Sequence, residues 1–323
     1  MTRSEVVMAA LYLASPPKCE NGPYIWSTLK DTNAGIGTAL NFRRPSFALA
    51  EILGAQWVGT LTNAHDRFRS SNHSQDAAAL LGLADPFCTA ADLTAINQTQ
   101  QHGRRLVKYH LSRSLCRTKP LTDVALNRRS IVVVDTEQGR NSIPPFWITC
   151  AFYYTFRSNV LMAAFKRGVP EKPVKSIWVG VHFRWGDTQA GSPLKPAKSA
   201  LVRTGAPLST FAHVTKHYAA NRTMLFTEGL RRGDLELFEA IVGRPVEIHS
   251  DSHKWANALA MMAQCDVLVG GSSTFFKLGA RLCIFAEKPC TVVTSKPAEV
   301  TEHLGDEVAY NVSSVIHFAS QRN

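Results

Sequence analysis

The stretch Trp178 to Gly191, WVGVHFRWGDTQAG, begins as an apolar run and ends in charged residues. Its first part has the composition of a buried strand, which we predict over residues 176–181. His182, Arg184 and Asp187 follow that strand directly. Polar residues after a core strand are either ordinary loop residues or parts of a binding site, and the rest of the chain has to decide between these two interpretations.

Short apolar runs alternate with longer helix-like stretches through the second half of the chain, which is typical of parallel α/β architecture. The predicted strands are 176–181, 223–226, 246–248, 267–269 and 291–294, and the predicted helices are 234–242, 254–264 and 275–283. This order predicts a doubly wound sheet.

The first half is less regular. It contains predicted strands at 6–13, 56–61 and 130–134 and predicted helices at about 40–53 and 148–167, whereas residues 63–127 follow no clear pattern. A basic, proline-containing link at 166–173 separates the halves. We therefore predict two domains, 1–170 and 171–323.

Polar residues gather at the predicted carboxyl ends of the strands, where open α/β sheets bind their ligands. These residues are His182, Arg184, Thr227, Glu228, Asp251, Ser272, Ser273 and Thr274. Each is a weak signal alone, but together they predict a cleft.

The stretch Cys265 to Cys283, CDVLVGGSSTFFKLGARLC, predicts an anion site. An apolar strand meets two glycines, then hydroxyl residues suited to a helix N-cap, then an apolar helix. Free N–H groups and the positive end of the helix dipole would face the cleft. The alternative is that Ser-Ser-Thr only caps the helix.

Arg184 fits the same interpretation, because a guanidinium can hold a phosphate in a bidentate way and stays charged. The chain contains no Asp-x-Asp triplet of the kind that holds Mg²⁺ or Mn²⁺ against a nucleotide diphosphate. His213 and His217 could share a helix face, but no third ligand lies nearby in the sequence. We therefore predict no metal site and no cofactor.

The net charge of +11 and the pI near 9.5 favour an anionic partner. The arginine pairs are scattered, without the basic stripe and interleaved aromatic residues of a nucleic-acid groove. The seven cysteines include no Cys-x-x-Cys, and their odd number argues against a complete disulfide framework, so we expect mostly buried thiols. The scattered arginine pairs therefore predict a protein that does not bind nucleic acid.

The longest early apolar run, Val6 to Ala14, is far shorter than the ~18 residues that span a bilayer, so we predict no transmembrane segment. The run is interpreted as a first strand, with a signal peptide as the alternative. Asn-x-Ser/Thr triplets permit glycosylation in a luminal protein, and they begin at Asn72, Asn97, Asn221 and Asn311. The expected location is cytoplasmic, or luminal if a targeting segment has been removed.

The motif His182-x-Arg184-x-Gly186-Asp187, followed by CDVLVGGSS from Cys265, resembles the fucosyltransferase superfamily of GT-B fold. That superfamily includes the α1,2-, α1,6- and protein O-fucosyltransferases. NAGIGTAL, from Asn33 to Leu40, is similar to the family's N-terminal glycine loop. The resemblance implies two Rossmann-like domains that face each other across a cleft, with the acceptor on the first and the nucleotide-sugar donor on the second.

The resemblance also implies the reaction, which is transfer of L-fucose from GDP-β-L-fucose to a glycan or protein hydroxyl, with inversion and without a metal. Arg184 matches the family arginine on the β-phosphate, and His182 matches the residue near guanine and ribose. The remaining donor-binding candidates are Gly35, Gly37, Thr38, Glu228, Asp251, Ser272, Ser273 and Thr274. Asp187 is the favoured general base, with Asp31 and Asp66 as the alternatives.

The chain departs from the family pattern at three positions. Trp185 stands where many relatives have a second arginine, Thr38 where they have asparagine, and Ala258 where an acidic residue contacts the guanine amine. Asp251 could replace that carboxylate, or could cap the helix that starts near Lys254. A transferase that uses a UDP-linked sugar and a non-catalytic anion-binding or glycan-binding module therefore remain the alternatives.

Overall fold

The structure is a computed structural model of the 323-residue chain. It describes residues 146–185, 191–198, 204–250, 254–286 and 290–295, together with 23–27, 46–47, 50, 54–58, 106–109, 131–134, 297, 300 and 315–317. The chain divides into two compact units, Met1–Ala163 and Ala164–Asn323.

The first unit contains a parallel sheet of four strands in the order β2-β1-β4-β3. The strands are β1 (Tyr24–Ser27), β2 (Gln56–Val58), β3 (Leu106–Tyr109) and β4 (Ile131–Val134). Two of them confirm the predictions at 56–61 and 130–134, whereas β1 and β3 were not predicted. The predicted strand at 6–13 lies outside the described residues.

Trp57 of β2 ties this sheet to a helical segment that contains residues 46–47 and 50, within the helix predicted at about 40–53. Its indole N–H donates a hydrogen bond of 3.0 Å to the Ser46 hydroxyl. The ring also packs against Phe47, with centroids 4.4 Å apart. A buried indole is stable here because its polar end finds an acceptor.

Helix α1 (Phe146–Lys166) agrees with the helix predicted at 148–167. It ends in a Schellman motif, in which Gly168 adopts a left-handed φ of 74° and the amide of Val169 donates to the carbonyl of Ala164. The following link belongs to the second unit. Lys172 forms an ion pair with Asp266, and its backbone amide donates to the Gln264 side chain at 2.9 Å.

The main sheet of the second unit has six parallel strands in the order β12-β11-β10-β5-β8-β9. They are β5 (Trp178–Phe183), β8 (Arg222–Thr227), β9 (Glu247–His249), β10 (Val267–Gly270), β11 (Thr291–Thr294) and β12 (Val315–His317). A short antiparallel hairpin, β6 (Gly191–Ser192) and β7 (Lys195–Pro196), follows β5.

Helices cover both faces of this sheet. They are α2 (Leu208–Lys216), α3 (Arg232–Val242), α4 (Trp255–Met262) and α5 (Thr274–Ile284). Alternate residues of β5 separate the two faces, since Val179, Val181 and Phe183 join the core of α2 and α3. The side chain of His182 points the other way, towards α5. The predicted doubly wound α/β architecture is confirmed.

Every strand and helix predicted in the second half is present, with its ends moved by a few residues. The most informative shift is in β5, which continues through His182 and Phe183 before Arg184 begins the loop. The prediction missed α2, β12 and the β6–β7 hairpin. Among the described residues, no helix has both the length and the apolar character needed to cross a membrane.

The cysteines correct one expectation. Cys283 and Cys290 form a disulfide between the end of α5 and the start of β11, with Cα atoms 5.5 Å apart. Cys265 is a buried free thiol, as expected, and burial raises its pKa. The prediction of mostly unpaired thiols failed at Cys283 and Cys290, because their proximity arises from the turn between α5 and β11 and no sequence motif marks it.

Candidate active site

The strand order places a crevice between β5 and β10. Counted along the chain without the hairpin, the six strands lie in the order 3-2-1-4-5-6, so the direction of winding reverses between the first strand, β5, and the fourth, β10. Ligands of doubly wound folds bind at the carboxyl ends of the strands on either side of this reversal. His182 and Gly270 are paired neighbours across it. Two motifs that lie far apart in the sequence therefore meet at one sheet edge.

His182 is the buried polar residue on the β5 side of the crevice. It is 9% exposed, and its ring lies 5.8 Å from Phe275 and 6.2 Å from Phe276 of α5. Within the described part of the chain, its Nδ1 has no hydrogen-bond partner. Burial and, to a smaller extent, the positive charge of Arg184 together lower the pKa of His182 to about 4. A neutral imidazole with an unused nitrogen is therefore available to a ligand at neutral pH.

Arg184 and Trp185 follow β5 and have different environments. Arg184 is half-buried just beyond the strand end, close enough to influence the charge of His182. Trp185 is 4% exposed and stacks on Phe183, with ring centroids 5.9 Å apart. Trp185 is thus a core residue. Arg184 is therefore the charged residue that directly follows β5 at the crevice.

The amino terminus of α5 supplies the other side of the crevice. Ser273 is the N-cap residue and Thr274 is the first helical residue. The Ser273 side chain makes no capping hydrogen bond, and the first turn contains no acidic residue but does contain Lys277. A lysine in the first turn repels the positive end of the helix dipole. An anion at this end would relieve that repulsion, and the first N–H groups of a helix are the groups that bind anions.

The two glycines before α5 have a structural reason that differs from the predicted one. A Cβ at Gly271 would lie 1.8 Å from the carbonyl oxygen of Thr204, and a Cβ at Gly270 would lie 2.1 Å from the ring of Phe276. The glycines are therefore required by close packing of the protein itself. The interpretation that they also let an anion approach the backbone stays a prediction.

Three further hydroxyl residues lie near these strand ends. Thr227, at the end of β8, is buried, and Thr204 and Ser295 flank Gly205, which packs against Gly271. In the described residues, their hydroxyl oxygens are buried without hydrogen-bond partners. Thr227 was noted among the strand ends, but Thr204 and Ser295 were missed because only tertiary packing brings them to Gly271.

The other predicted site residues divide into two groups. Glu228 is described and is exposed directly after β8. The remaining ones, Gly35, Gly37, Thr38, Asp187 and Asp251, lie outside the described residues. Ala258 lies half-buried on α4. Across the described part of the chain, no three His, Cys, Asp or Glu side chains are grouped as metal ligands would be.

Stability should depend on pH through His182. Its pKa is about 4 in the folded protein and 6.5 in the unfolded chain, so the unfolded chain takes up the proton first as the pH falls. The stabilising effect of the neutral form is fully present above pH 6.5 and is lost as the pH falls towards 4. Relative to His182→Gln, the wild type should lose ~1.4 kcal/mol of unfolding free energy per pH unit in this window.

Urea denaturation of both proteins over this pH range measures the difference. Because other groups titrate equally in the two proteins, the subtraction isolates His182. Parallel curves for wild type and His182→Gln would contradict the assignment of a buried neutral imidazole.

The chain was compared with known proteins. No family model and no curated protein matches. A crystal structure of POFUT1 in complex with GDP-fucose is similar, with 12% identity, coverage of 87% of this chain and 99% of that chain, and a TM-score of 0.45. A mutant of Arabidopsis thaliana FUT1 in complex with GDP has 10% identity, covers 90% of this chain and 74% of that chain, and has a TM-score of 0.41. A glycosyl transferase family 9 structure from Veillonella parvula has 10% identity, coverage of 84% and 80%, and a TM-score of 0.36.

Proposed function

We propose that the protein is an inverting, metal-independent glycosyltransferase that transfers L-fucose from GDP-β-L-fucose to a hydroxyl of an oligosaccharide or glycoprotein. The observation that carries the proposal is the pairing of His182 with Gly270 at the crevice between β5 and β10. This pairing joins the two motifs on which the sequence resemblance depends. A cation, a neutral imidazole and a helix amino terminus then lie at one sheet edge.

The chemistry of glycosyl transfer matches these groups. As the bond from the sugar to the diphosphate breaks, the sugar carbon becomes oxocarbenium-like and negative charge grows on the departing oxygen. Preorganised positive groups at that oxygen lower the barrier most. In the proposed reaction Arg184 and the first N–H groups of α5 stabilise the leaving diphosphate, so that no metal is required.

The other roles follow from the resemblance. His182 would contact the nucleoside, with the hydroxyls of Ser272 and Ser273 near the phosphates. Glu228, Asp251 and Thr274, which are candidates from their strand-end positions, would bind the same donor, with Asp251 in place of the missing carboxylate. In the first unit, Gly35, Gly37 and Thr38 would contribute to the same donor. Asp187 is proposed as the general base that takes the proton of the acceptor hydroxyl as it attacks the sugar carbon.

A different donor is the second candidate, and one observation favours it. Ala258 provides no carboxylate for the guanine amine at the position where relatives have one. A UDP-linked sugar would use the same phosphate groups with a different base pocket. A non-catalytic module that binds an anion or a glycan would keep the crevice and lack turnover.

A thermal-shift panel distinguishes these functions. The protein is heated with GDP-fucose, GDP, GDP-mannose, UDP-glucose, UDP-xylose or UDP-galactose, always with EDTA present. A GDP compound at 100 times its Kd should add about 2.7 kcal/mol to the free energy of unfolding. A preference for UDP compounds would replace the donor, and a protein that none of them stabilises would contradict the transferase.

A further inference from the structure

An apolar rim lies at the amino end of the second unit's main sheet, which is the end opposite the crevice. Val174 is 96% exposed and Ile177 is 44% exposed. Ile177 directly precedes β5, and the Lys172–Asp266 ion pair fixes the link just before Val174. A group bound beside these two side chains would remove apolar surface from water.

Asn221 lies directly beside this rim. The backbone amide of Ile177 donates to Oδ1 of Asn221 at 2.7 Å, and the amide of Asn221 donates to the carbonyl of Ile177 at 2.9 Å. Asn221 is itself exposed. The side-chain bond uses the amide oxygen, so Nδ2, the atom that carries an N-linked glycan, takes no part in it.

Asn221, Arg222 and Thr223 form an N-glycosylation triplet at the start of β8. Arg222 is held by two hydrogen bonds to Glu247, at 2.7 and 2.8 Å, and its guanidinium lies 4.5 Å from the centre of the Trp178 ring. This arrangement fixes the backbone next to Asn221. The oxygen of the acceptor asparagine is thus held by a hydrogen bond in an exposed residue.

The folded chain restricts when a glycan could be attached. Thr223 is 3% exposed, and its hydroxyl accepts a hydrogen bond of 2.8 Å from Arg244. The threonine needed for recognition is therefore hidden once β8 has paired. Attachment must precede formation of the sheet, as it does when glycans are added to a growing chain.

The disulfide indicates a compartment in which this occurs. The Cys283–Cys290 bond lies in a buried part of the second unit. Disulfides persist in oxidising compartments, which include the lumen where N-glycans are added. The ordered asparagine and the disulfide are separate observations that both fit a glycan at position 221.

We propose that Asn221 carries an N-linked oligosaccharide that covers Val174 and Ile177. The co-reactant is a lipid-diphosphate-linked oligosaccharide used by the transferase of the secretory lumen. A bond forms between Nδ2 and the anomeric carbon, the bond from that carbon to the phosphate oxygen breaks, and the amide loses one proton while the lipid diphosphate leaves. The proposal is independent of the activity of the crevice.

The direct test is peptide mapping of the full chain purified from the cells that produce it. Peptide N-glycosidase in heavy-oxygen water converts each glycosylated asparagine to labelled aspartate. We expect the label at position 221. An unlabelled Asn221 peptide would overturn the proposal.

Two matched variants made in a eukaryotic secretory host test the covering role. Asn221→Asp keeps the oxygen that accepts from Ile177 but removes the glycan, whereas Thr223→Ser keeps the triplet and the hydroxyl for Arg244. Binding of an apolar dye should rise severalfold for Asn221→Asp and stay at the wild-type value for Thr223→Ser. Adding Val174→Ser to Asn221→Asp should reverse the rise, and equal dye binding by all proteins would contradict the covering role.

Discussion

Replacement of Arg184 by alanine is expected to lower turnover of the nucleotide-sugar donor by about 10²- to 10³-fold. Arg184 follows the carboxyl end of β5, which pairs with β10, the strand that leads into α5, and this is the position proposed for the leaving diphosphate. Arg184→Lys should recover only part of the rate, because it keeps the charge and loses the planar fork. Initial rates of GDP release, measured with EDTA present, give the comparison.

The same variant has a second readout that a purely structural role would not produce. The charge of Arg184 helps to hold the pKa of His182 below its usual value, so the alanine variant should show a higher His182 pKa. NMR titration of the imidazole measures this shift, and denaturation at pH 7 tests whether the fold is retained. Full activity in Arg184→Ala, or a loss that Mn²⁺ restores, would overturn the mechanism.

Gly271→Ala should strongly lower the free energy of unfolding of the second unit. The added Cβ would lie 1.8 Å from the carbonyl oxygen of Thr204. The clashing atoms of Thr204 belong to the backbone, so rotation of a side chain cannot relieve the clash. Overpacking typically lowers the free energy of unfolding by 1–3 kcal/mol, and we expect Gly271→Ala to lower it by about 3 kcal/mol or more. Donor binding should fall as well, since the segment that leads into α5 must move.

Gly233→Ala is the matched control. Gly233 lies in the first turn of α3, where an added Cβ has no atom within 4 Å. Alanine is the better helix former, so this change should be neutral or stabilising by about 0.5–1 kcal/mol. Urea denaturation of the two variants tests the contrast, which similar stabilities would refute.

The second unit was largely predictable because its strands are buried on both faces. A strand such as β5, with six buried residues in a row, is visible as a continuous apolar run. The carboxyl-end rule then predicted where His182, Arg184 and Ser273 would lie. The pairing of β5 with β10, which gives the crevice its two sides, could not be predicted because it depends on long-range tertiary contacts.

The missed elements have physical reasons. Helix α2 contains the β-branched Thr215, whose buried hydroxyl donates a hydrogen bond to the Phe211 carbonyl. Such a residue lowers the local helix propensity, so the segment does not stand out as a helix in the sequence. Strands β1 (YIWS) and β3 (LVKY) lack the continuous aliphatic run that marks β4 (IVVV), so neither stands out in the sequence. The packing role of Gly270 and Gly271 was not predicted, because a glycine required for packing and a glycine required for a ligand look the same in a sequence.

The central position of β5 also determines when the crevice can exist during synthesis. This strand is the first of its sheet to be made, but Ile177 bonds to Asn221, 44 residues later, and Trp178 bonds to Asp266, 88 residues later. At a ribosomal rate of about 5–20 residues per second, WVGVHF waits for seconds before its neighbours emerge, and contacts of such separation form slowly. The second half of the crevice, on β10 and α5, is therefore assembled only after the chain has grown by more than the 88 residues that separate Trp178 from Asp266. A nascent chain stalled before Gly270 should not retain a nucleotide, so nucleotide capture can serve as a marker that the unit has finished folding.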